Sequence, residues 1–384
     1  MAQGTITSAK AYGQGALRVL VADDLGFMRI ALRQIIESDG DMRVVGEARN
    51  GEEAVTLARE LRPDVVTMDV EMPVMDGIAA TRQITSEVVP KPIVIVVSSL
   101  TQADAAATMR ALQSGAVDFV SKQTAVTAND LGHIDSELRD KIRLWADRRS
   151  RLAVDLSIGP AVSLAAARGA EKAGTLSRPV CFPGGPVDLV AIAVSTGGPS
   201  ALASLLQVLG KIAPPIVIAQ HMPQFFTACL AQSLSQDAGV VACEGEHRRA
   251  VLPGQVTILP GGRDAAVAPR AGGGFELRLT QSDAAVHPSG DLLFESVAMV
   301  ARHPVAVILT GMGSDGTRGA GRFAHRNLPV LVQRPDTCVV GGMPSAAIEA
   351  GFASEQLTLD EIAHRLRRWA SPTFQPRKAE MANP

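Results

Sequence analysis

Residues 188–202 read DLVAIAVSTGGPSAL, an apolar run rich in β-branched residues, then a turn, then the start of a helical pattern. Ser195 stands at the bend and Gly197 and Gly198 follow it, which is typical of a strand, a sharp turn and a helix. A hydroxyl at this place is lifted clear of the sheet, beside free backbone N–H groups at the helix start. The turn could cradle a phosphate or simply join a strand to a helix. It could also present Ser195 as a nucleophile, although the local pattern is not G-x-S-x-G.

The composition describes a globular protein rather than a disordered one, because 46% of its 384 residues are hydrophobic and 20% are charged. This length predicts two domains and a linker. A formal net charge of −2 gives no global argument for nucleic acid or an anionic membrane. The four cysteines lack C-x-x-C spacing, which indicates neither a zinc site nor a disulfide scaffold. We find no signal peptide and no apolar run of membrane-spanning length, so we expect a cytoplasmic protein without direct membrane insertion.

In the amino-terminal third, strand and helix patterns alternate five times after a leader at 1–16 that we expect to be disordered. Such alternation predicts a flavodoxin-like α/β domain with a five-stranded parallel sheet, whose ligands bind at the carboxyl ends of the strands. The polar side chains expected at that edge are Asp23, Asp24, Asp69, Ser98 and Lys122. Three acids without a cation would repel one another, so this set predicts a hard divalent ion such as Mg²⁺. A carboxylate beside such an ion, with a lysine and a hydroxyl nearby, is equipped to accept a phosphoryl group. The plainer alternative is a set of solvated turn-forming acids.

The segments VADD, TMDVEMPVMDG, VVSSLT and GAVDFVSK resemble a response-regulator receiver domain over residues 17–123. The resemblance implies that Asp69 is the phosphoacceptor and that a histidine kinase of the CheA type is the phosphodonor. It also implies that Asp23, Asp24 and Asp69 bind the metal and that Ser98 and Lys122 sense the phosphoryl group. Phe119 stands where the family has a switch aromatic. Gln123 follows the lysine where receivers commonly have proline, a departure that concerns the loop's peptide geometry.

Residues 124–186 lack sustained strand signals and are interpreted as a linker with one helix. Helical spacing over Leu131–Arg149 could place Leu138, Ile142 and Trp145 on one face, and we expect this helix to dock the two domains. A basic run from Arg139 to Arg151 could contact nucleic acid or a membrane, but a solvated helix face is the commoner meaning of such a run. The stretch 161–185 has the composition of a flexible connector.

A second doubly wound α/β domain is predicted at 187–370, followed by a flexible tail at 371–384. Ser195, His221 and Asp315 each follow an apolar strand pattern, and the carboxyl ends of parallel strands share one edge. His221 would take the proton of Ser195, and Asp315 would orient the imidazole and stabilise its charge. The GMG turn could offer the N–H of Met312 to an oxyanion, and Thr196 could orient the histidine or the nucleophile. Among seven histidines, His287 in the VHPSGD loop is the serious competitor for the base.

The blocks STGGPSAL, QHMP, LPGG, LFESVA, LTGMGSDG and CVVGGMPSAAI resemble the catalytic domain of the chemotaxis protein-glutamate methylesterases, the CheB family. With a receiver in front, the resemblance implies a phosphorylation-controlled serine esterase without a cofactor in its catalytic domain. The implied substrates are glutamyl γ-methyl esters on the cytoplasmic domains of chemoreceptors, hydrolysed to glutamate and methanol, and receptor glutamines in members that also deamidate. It implies Ser195, His221 and Asp315 as the triad, assisted by Thr196 and Met312.

The chain departs from this family pattern in three places near the expected substrate edge. Gly341 stands where a bulky aromatic is expected, Asp264 stands where a histidine is common, and the HPSGD segment lacks a frequent arginine. These departures leave the chemistry intact and concern which receptor is the substrate.

Three other functions compete with an esterase. A dinucleotide- or phosphate-binding domain is disfavoured because no G-x-G-x-x-G follows the strand. A receiver-controlled DNA-binding regulator needs a helix-turn-helix and a basic face, and the carboxyl-terminal half has neither, so we expect no nucleic-acid partner. A catalytically weak, receiver-controlled adaptor in a chemosensory-like pathway is the remaining alternative, and the filled triad positions argue against it.

Overall fold

A computed structural model describes residues 15–99, 101–122, 136–148 and 185–371. The chain divides into two compact units, Met1–Ile158 and Gly159–Pro384, and each is described by itself. Almost all of the predicted leader, connector and tail lies outside the described residues.

The first unit contains a five-stranded sheet in the order β2-β1-β3-β4-β5, with every strand parallel to its neighbours. Its strands are β1 (Leu17–Ala22), β2 (Met42–Ala48), β3 (Val65–Asp69), β4 (Ile93–Ser98) and β5 (Asp118–Ser121). The helices between them are α1 (Gly26–Glu37), α2 (Gly51–Leu61), α3 (Gly77–Glu87) and α4 (Gln102–Gln113). The predicted α/β fold of this half is confirmed.

A fifth helix, α5 (residues 136–148), packs against this sheet. Leu138 and Ile142 are fully buried and belong to the same hydrophobic core as the buried face of α1. We expected this helix to be a linker element that docks the two domains. Its apolar face packs into the core of the first unit, because Leu138, Ile142 and Ala146 lie four residues apart on one side of the helix, and the expected docking stays a prediction.

Polar contacts fix α5 to the last strand of the sheet. Lys141 Nζ donates to the carbonyl oxygen of Phe119 at 2.6 Å and to Asp118 Oδ1 at 3.2 Å, and it lies 5.3 Å from the centre of the Phe119 ring. Trp145 Nε1 donates to the other carboxylate oxygen of Asp118 at 3.3 Å. Burial acts to lower the pKa of Lys141, but the carboxylates of Asp118 and Glu137 outweigh it and raise that pKa. Lys141 is therefore held in its charged form between α5 and β5.

Two basic side chains of α5, Arg139 and Arg143, also pair with acids of the first unit. Arg139 Nε lies 3.0 Å from Asp39 Oδ2, and Arg143 Nε lies 2.7 Å from Asp41 Oδ2 while its other nitrogen contacts Asp39. These contacts hold the pKa of both aspartates below its usual range. Part of the basic run is thus paired with acids of its own domain, which favours a structural role over binding of nucleic acid.

The second unit is built on a seven-stranded parallel sheet in the order β15-β14-β13-β6-β7-β10-β8. Its strands are β6 (Leu189–Val194), β7 (Ile216–Gln220), β8 (Val241–Glu244), β10 (Gln255–Ile258), β13 (Pro304–Ile308), β14 (Val330–Gln333) and β15 (Glu355–Leu357). Its helices are α6 (Gly198–Leu209), α7 (Phe226–Asp237), α8 (Gly290–Val300), α9 (Thr317–His325), α10 (Gly342–Glu349) and α11 (Leu359–Trp369).

A small antiparallel sheet covers part of the large one. It consists of β9 (Ala250–Val251), β11 (Asp264–Pro269) and β12 (Phe275–Thr280), in the order β11-β12-β9. Val267 and Leu277 of this small sheet share one core with Ala193 and Ile308 of the parallel sheet and Phe294 of α8. The small sheet and α8 therefore pack over one face of the strands that carry the candidate site.

Candidate active site

Ser195 occupies the sharp turn that the sequence predicts between β6 and α6. Its N–H donates to the carbonyl oxygen of Thr310 at 3.0 Å, and its own carbonyl accepts the N–H of Gly198 at 2.8 Å. Gly197 has φ +77°, in the left-handed region that favours glycine, and a Cβ on it would lie 2.6 Å from the side chain of Val339. The two glycines thus let the chain turn tightly enough to raise a half-buried Ser195 at the end of the strand.

Gln220 joins the turn of Ser195 to the loop of His221, a role that sequence reasoning missed. It is 1% exposed at the last position of β7, and its Nε2 donates to the carbonyl oxygens of Ser195 at 3.0 Å and His221 at 3.2 Å. A Cβ on Gly198 would come within 1.9 Å of Gln220 Oε1, which shows how closely the turn packs on this amide. The signal available in the sequence was the amide side chain that ends the otherwise apolar stretch IVIAQ, since a polar side chain in a buried strand needs a hydrogen-bond partner.

His221 and Asp315 form the central contact of the site. Nε2 of His221 lies 2.7 Å from Oδ2 of Asp315, and both side chains are largely buried. Burial acts to raise the pKa of Asp315, but hydrogen bonds from His221 and from the N–H groups of Gly290 and Asp291 outweigh it and lower that pKa. An ionised carboxylate can only accept, so Nε2 of His221 is the nitrogen that donates its proton to Asp315. Nδ1 of His221 is then the nitrogen free to act as a base.

The Asp315 carboxylate accepts three further hydrogen bonds from the start of α8. Gly290 N–H donates to Oδ2 at 2.5 Å, while Asp291 N–H and Ser289 Oγ donate to Oδ1, each at 3.1 Å. The amino end of a helix favours a negative charge, so this position stabilises the ionised form. Backbone donors carry no side-chain signal, and for that reason the sequence pointed to Asp315 but not to the helix end that holds it.

The GMG turn after β13 lies directly against Ser195. A Cβ on Gly311 would lie 2.8 Å from Ser195 Cβ and 2.3 Å from Met343 Sδ. The side chain of Met312 is about half exposed, and within the described part of the chain its N–H donates to no acceptor. The N–H of Thr196 likewise has no acceptor among the described residues. Two free backbone donors therefore flank the nucleophile position.

Two expected contacts are not formed in this structure. Within the ranges described above, Ser195 Oγ makes no hydrogen bond to His221, and the Thr196 hydroxyl makes none to either residue. The carbonyl of Thr196, in contrast, accepts the hydroxyl of Thr310 at 3.0 Å. Catalytic hydrogen bonds are often long in enzymes without substrate and tighten in the complex. The roles of Ser195 and Thr196 therefore stay predictions.

The first unit carries the second predicted site, at the carboxyl edge of its sheet. One oxygen from each of Asp23, Asp24 and Asp69 lies within 4.8 Å of the others. Lys122 Nζ contacts Asp69 Oδ2 at 2.6 Å and Asp23 Oδ2 at 2.9 Å. Hard carboxylate oxygens with one exposed member, Asp24, suit Mg²⁺, which keeps several waters when bound. The residues present therefore fit the predicted metal.

Asp69 is shielded from solvent and close to a cation and another acid. Burial raises the pKa of Asp69 to about 6, while Lys122 acts to lower it and Asp23 to raise it further. Ser98, at the end of β4, is 1% exposed, and Phe119 is buried on β5. The structure thus places all five predicted polar residues, Asp23, Asp24, Asp69, Ser98 and Lys122, at the carboxyl edge of the sheet, while Phe119 lies within β5.

None of the helices in the described ranges has the length and apolar character needed to cross a membrane. Two family descriptions match the sequence: "Response regulator receiver domain" over residues 19–131 and "CheB methylesterase" over residues 190–366.

Curated relatives match almost the whole chain. "Protein-glutamate methylesterase/protein-glutamine glutaminase 1" of Oleidesulfovibrio alaskensis is 39% identical over 367 residues, which covers 91% of this chain and 98% of the relative. "Protein-glutamate methylesterase/protein-glutamine glutaminase" of Thermotoga maritima is 39% identical over 356 residues, with 91% and 97% covered. Among solved structures, the CheB methylesterase catalytic domain of Thermotoga maritima is 36% identical with a TM-score of 0.46, covering 47% of this chain and 97% of that one.

Proposed function

This chain belongs to the CheB methylesterase family and is a receiver-controlled carboxylic-ester hydrolase, and we propose which of its residues carry out the reaction. The names of its relatives pair a protein-glutamate methylesterase with a protein-glutamine glutaminase. The proposed substrates are accordingly glutamyl γ-methyl esters and glutamine side chains on the cytoplasmic domains of chemoreceptors. The contact of His221 Nε2 with Asp315 at the edge that carries Ser195 is the observation on which the proposal depends.

In the first half of the reaction, Ser195 Oγ attacks the γ-carbonyl carbon of the substrate. Nδ1 of His221 takes the hydroxyl proton, and Asp315 stabilises the imidazolium that forms. The tetrahedral intermediate then expels methanol, or ammonia from a glutamine, and His221 returns the proton to the leaving group. An acyl-enzyme on Ser195 remains.

In the second half, a water molecule attacks the acyl carbon while Nδ1 of His221 takes a proton from that water. Collapse of the second tetrahedral intermediate breaks the bond to Ser195 Oγ, which regains the proton from the imidazolium. The products are a glutamate side chain and the free enzyme, so atoms and protons balance over the cycle.

The negative oxygen of both intermediates needs donors that are already in place. The free N–H groups of Met312 and Thr196 support that role, since both belong to turns packed against Ser195. Removing one such donor in a serine hydrolase costs about 10²–10³-fold in kcat. The exposed Met312 side chain is not required for this function, because the donor is its backbone.

For the receiver, we propose that Asp69 accepts a phosphoryl group from a histidine kinase of the CheA type. A carboxylate oxygen of Asp69 forms the bond to phosphorus, and the donor's leaving group departs on the opposite side. Lys122 would pair with the phosphoryl oxygens and Ser98 would bond one of them. Mg²⁺, held by Asp23, Asp24 and Asp69, would neutralise part of the developing charge when bound. Phe119 is the proposed switch aromatic.

Phosphorylation of Asp69 would then raise esterase activity by shifting the population of conformations toward the active one. Receptor, kinase and this protein would meet in the cytoplasm, with sensory adaptation as the outcome. The alternative, a catalytically weak adaptor, is not favoured, because the relatives are named as protein-glutamate methylesterases, the positions of the proposed triad are filled and His221 contacts Asp315.

The control by phosphorylation can be tested by following methanol release from methylated receptor fragments with and without a small-molecule phosphodonor. Asp69→Asn should lose the stimulation by phosphodonor. Asp39→Asn removes an acid of the same domain that lies outside the Asp69 site, and this variant should keep the stimulation by phosphodonor. Full stimulation of the Asp69→Asn variant would contradict the proposed phosphoacceptor.

A further inference from the structure

A second pairing of an imidazole with a carboxylate lies beside the catalytic one. Asp264, the first residue of β11, is 1% exposed, and its Oδ2 lies 2.9 Å from His287 Nδ1 and accepts the hydroxyl of Ser282 at 2.5 Å. Its other oxygen, Oδ1, accepts the backbone N–H of Ser289 at 2.7 Å. The histidine that competes for the role of base is thus committed to Asp264, and this carboxylate is buried with three partners.

Asp264 and Asp315 hold neighbouring groups of one helix end. Asp264 binds the N–H of Ser289, while Asp315 binds the Ser289 hydroxyl and the next two N–H groups, those of Gly290 and Asp291. Ser289 therefore bridges the two carboxylates, donating its N–H to one and its O–H to the other. A shift of Ser289 would move the donors that fix Asp315.

We propose that Asp264 is a positioning residue for the esterase reaction, which holds the first turn of α8 so that Asp315 stays aligned with His221. The inference rests on the proposed function of the triad. A buried carboxylate costs free energy unless its oxygens are hydrogen-bonded, and Asp264 offsets that cost by ordering the Ser289 turn. The partly exposed His287 contacts Oδ2 of Asp264, so Oδ1 is left to accept the N–H of Ser289.

A purely structural role for Asp264 is not needed to attach α8 to β11. Ser296, about two helical turns along α8 from Ser289, already accepts the N–H of Val267 in β11 at 3.0 Å and is 4% exposed. Ser296→Ala thus removes a buried polar contact between the same two elements without touching Asp315. It is the matched control for Asp264.

The test compares full-length wild type, Asp264→Ala, Asp264→Asn and Ser296→Ala in phosphodonor-stimulated methanol release from methylated receptor fragments. Asp264→Ala should lower kcat by about 10- to 100-fold with KM nearly unchanged, because a misplaced catalytic group costs rate rather than binding. Asp264→Asn keeps an oxygen for the Ser289 N–H and should therefore retain kcat within about threefold. Ser296→Ala should also retain it. If Asp264→Ala does not fold, Asp264→Ser replaces it, since a serine hydroxyl is too short to reach the Ser289 N–H.

A second readout is the downfield proton NMR signal of the hydrogen bond between His221 and Asp315, assigned by its absence in His221→Gln. It should persist in Asp264→Asn and Ser296→Ala and shift or vanish in the alanine variant. Equal kcat values for Asp264→Ala and Ser296→Ala would overturn the inference, as would an asparagine variant as slow as the alanine one. Wild-type release that does not depend on Ser195 would instead contradict the proposed function itself.

Discussion

Replacing Asp315 by asparagine should nearly abolish turnover while leaving the side-chain volume unchanged. In the wild type, Oδ2 accepts from His221 Nε2 and Gly290 N–H, and Oδ1 accepts from Ser289 Oγ and Asp291 N–H. A carboxamide has one oxygen and one NH₂ group, so one pair of donors must face another donor. If the NH₂ group faces His221, the imidazole must accept at Nε2 and carry its proton on Nδ1, where the base is needed.

The expected loss in kcat is about 10⁴-fold, the scale of the same replacement in a Ser-His-Asp protease, which corresponds to about 5 kcal/mol in the activation free energy. The assay is methanol release under single-turnover conditions. Asp291→Asn is the matched control, because the Asp291 side chain accepts the Gly319 N–H and makes no hydrogen bond to His221. A fall of less than tenfold for Asp315→Asn would refute the tautomer argument.

The same substitution should also change how the free energy of unfolding depends on pH. The pKa of Asp315 is lowered in the folded state, so its ionised form stabilises the fold above the pKa of an unfolded aspartate, about 3.9. That stabilisation is lost as the pH falls through the lower folded pKa. The difference in free energy of unfolding between wild type and Asp315→Asn should therefore be largest near neutral pH and shrink below about pH 4. Urea titrations at several pH values measure it, and a difference that grows in acid would contradict the assignment.

Three further substitutions test buried contacts, two in the first unit and one in the second. Ile142→Ala should lower the free energy of unfolding of the receiver by about 2–5 kcal/mol in urea, because it empties part of a buried core. Ile30→Ala, at an exposed position of α1, should change it by less than about 0.5 kcal/mol. Equal effects would place α5 outside the core. Lys141→Met should lower the free energy of unfolding by about 3–5 kcal/mol, because it leaves the buried Asp118 carboxylate without its cation. Adding Asp118→Asn should recover much of this loss. A double variant as unstable as the single one would argue against the pairing. Gly311→Ala should lower kcat strongly, since the new methyl group would overlap the nucleophile's side chain, and an unchanged kcat would show that the GMG turn lies farther away.

Several strands of the two parallel sheets, among them β1, β3, β4, β6 and β7, could be predicted from the sequence because each is an apolar run that ends in a polar residue or is followed at once by one. Asp69 stands at the end of β3 and Ser98 at the end of β4, at the edge where the sequence predicts them. Parallel pairing then brings Ser195, His221 and Asp315 to one edge, although they are far apart in the chain. This part of the site follows from topology alone.

Other features depend on contacts that no local pattern encodes. The spacing of Leu138 and Ile142 shows that one face of α5 is buried, but not that α1 and the receiver sheet cover it. The nitrogen of His221 that faces Asp315 follows from backbone placement, which the sequence does not display. Asp264 was noted only as a departure from the family pattern, and its link to the catalytic acid through Ser289 required the three-dimensional arrangement.

The central claim is that Ser195 is the nucleophile of an esterase whose rate the receiver controls. Methanol release from methylated receptor fragments should be measured for wild type and Ser195→Ala, each with and without a small-molecule phosphodonor. We predict release that rises with phosphodonor in the wild type and is absent in Ser195→Ala under both conditions. Release that survives Ser195→Ala would contradict the account.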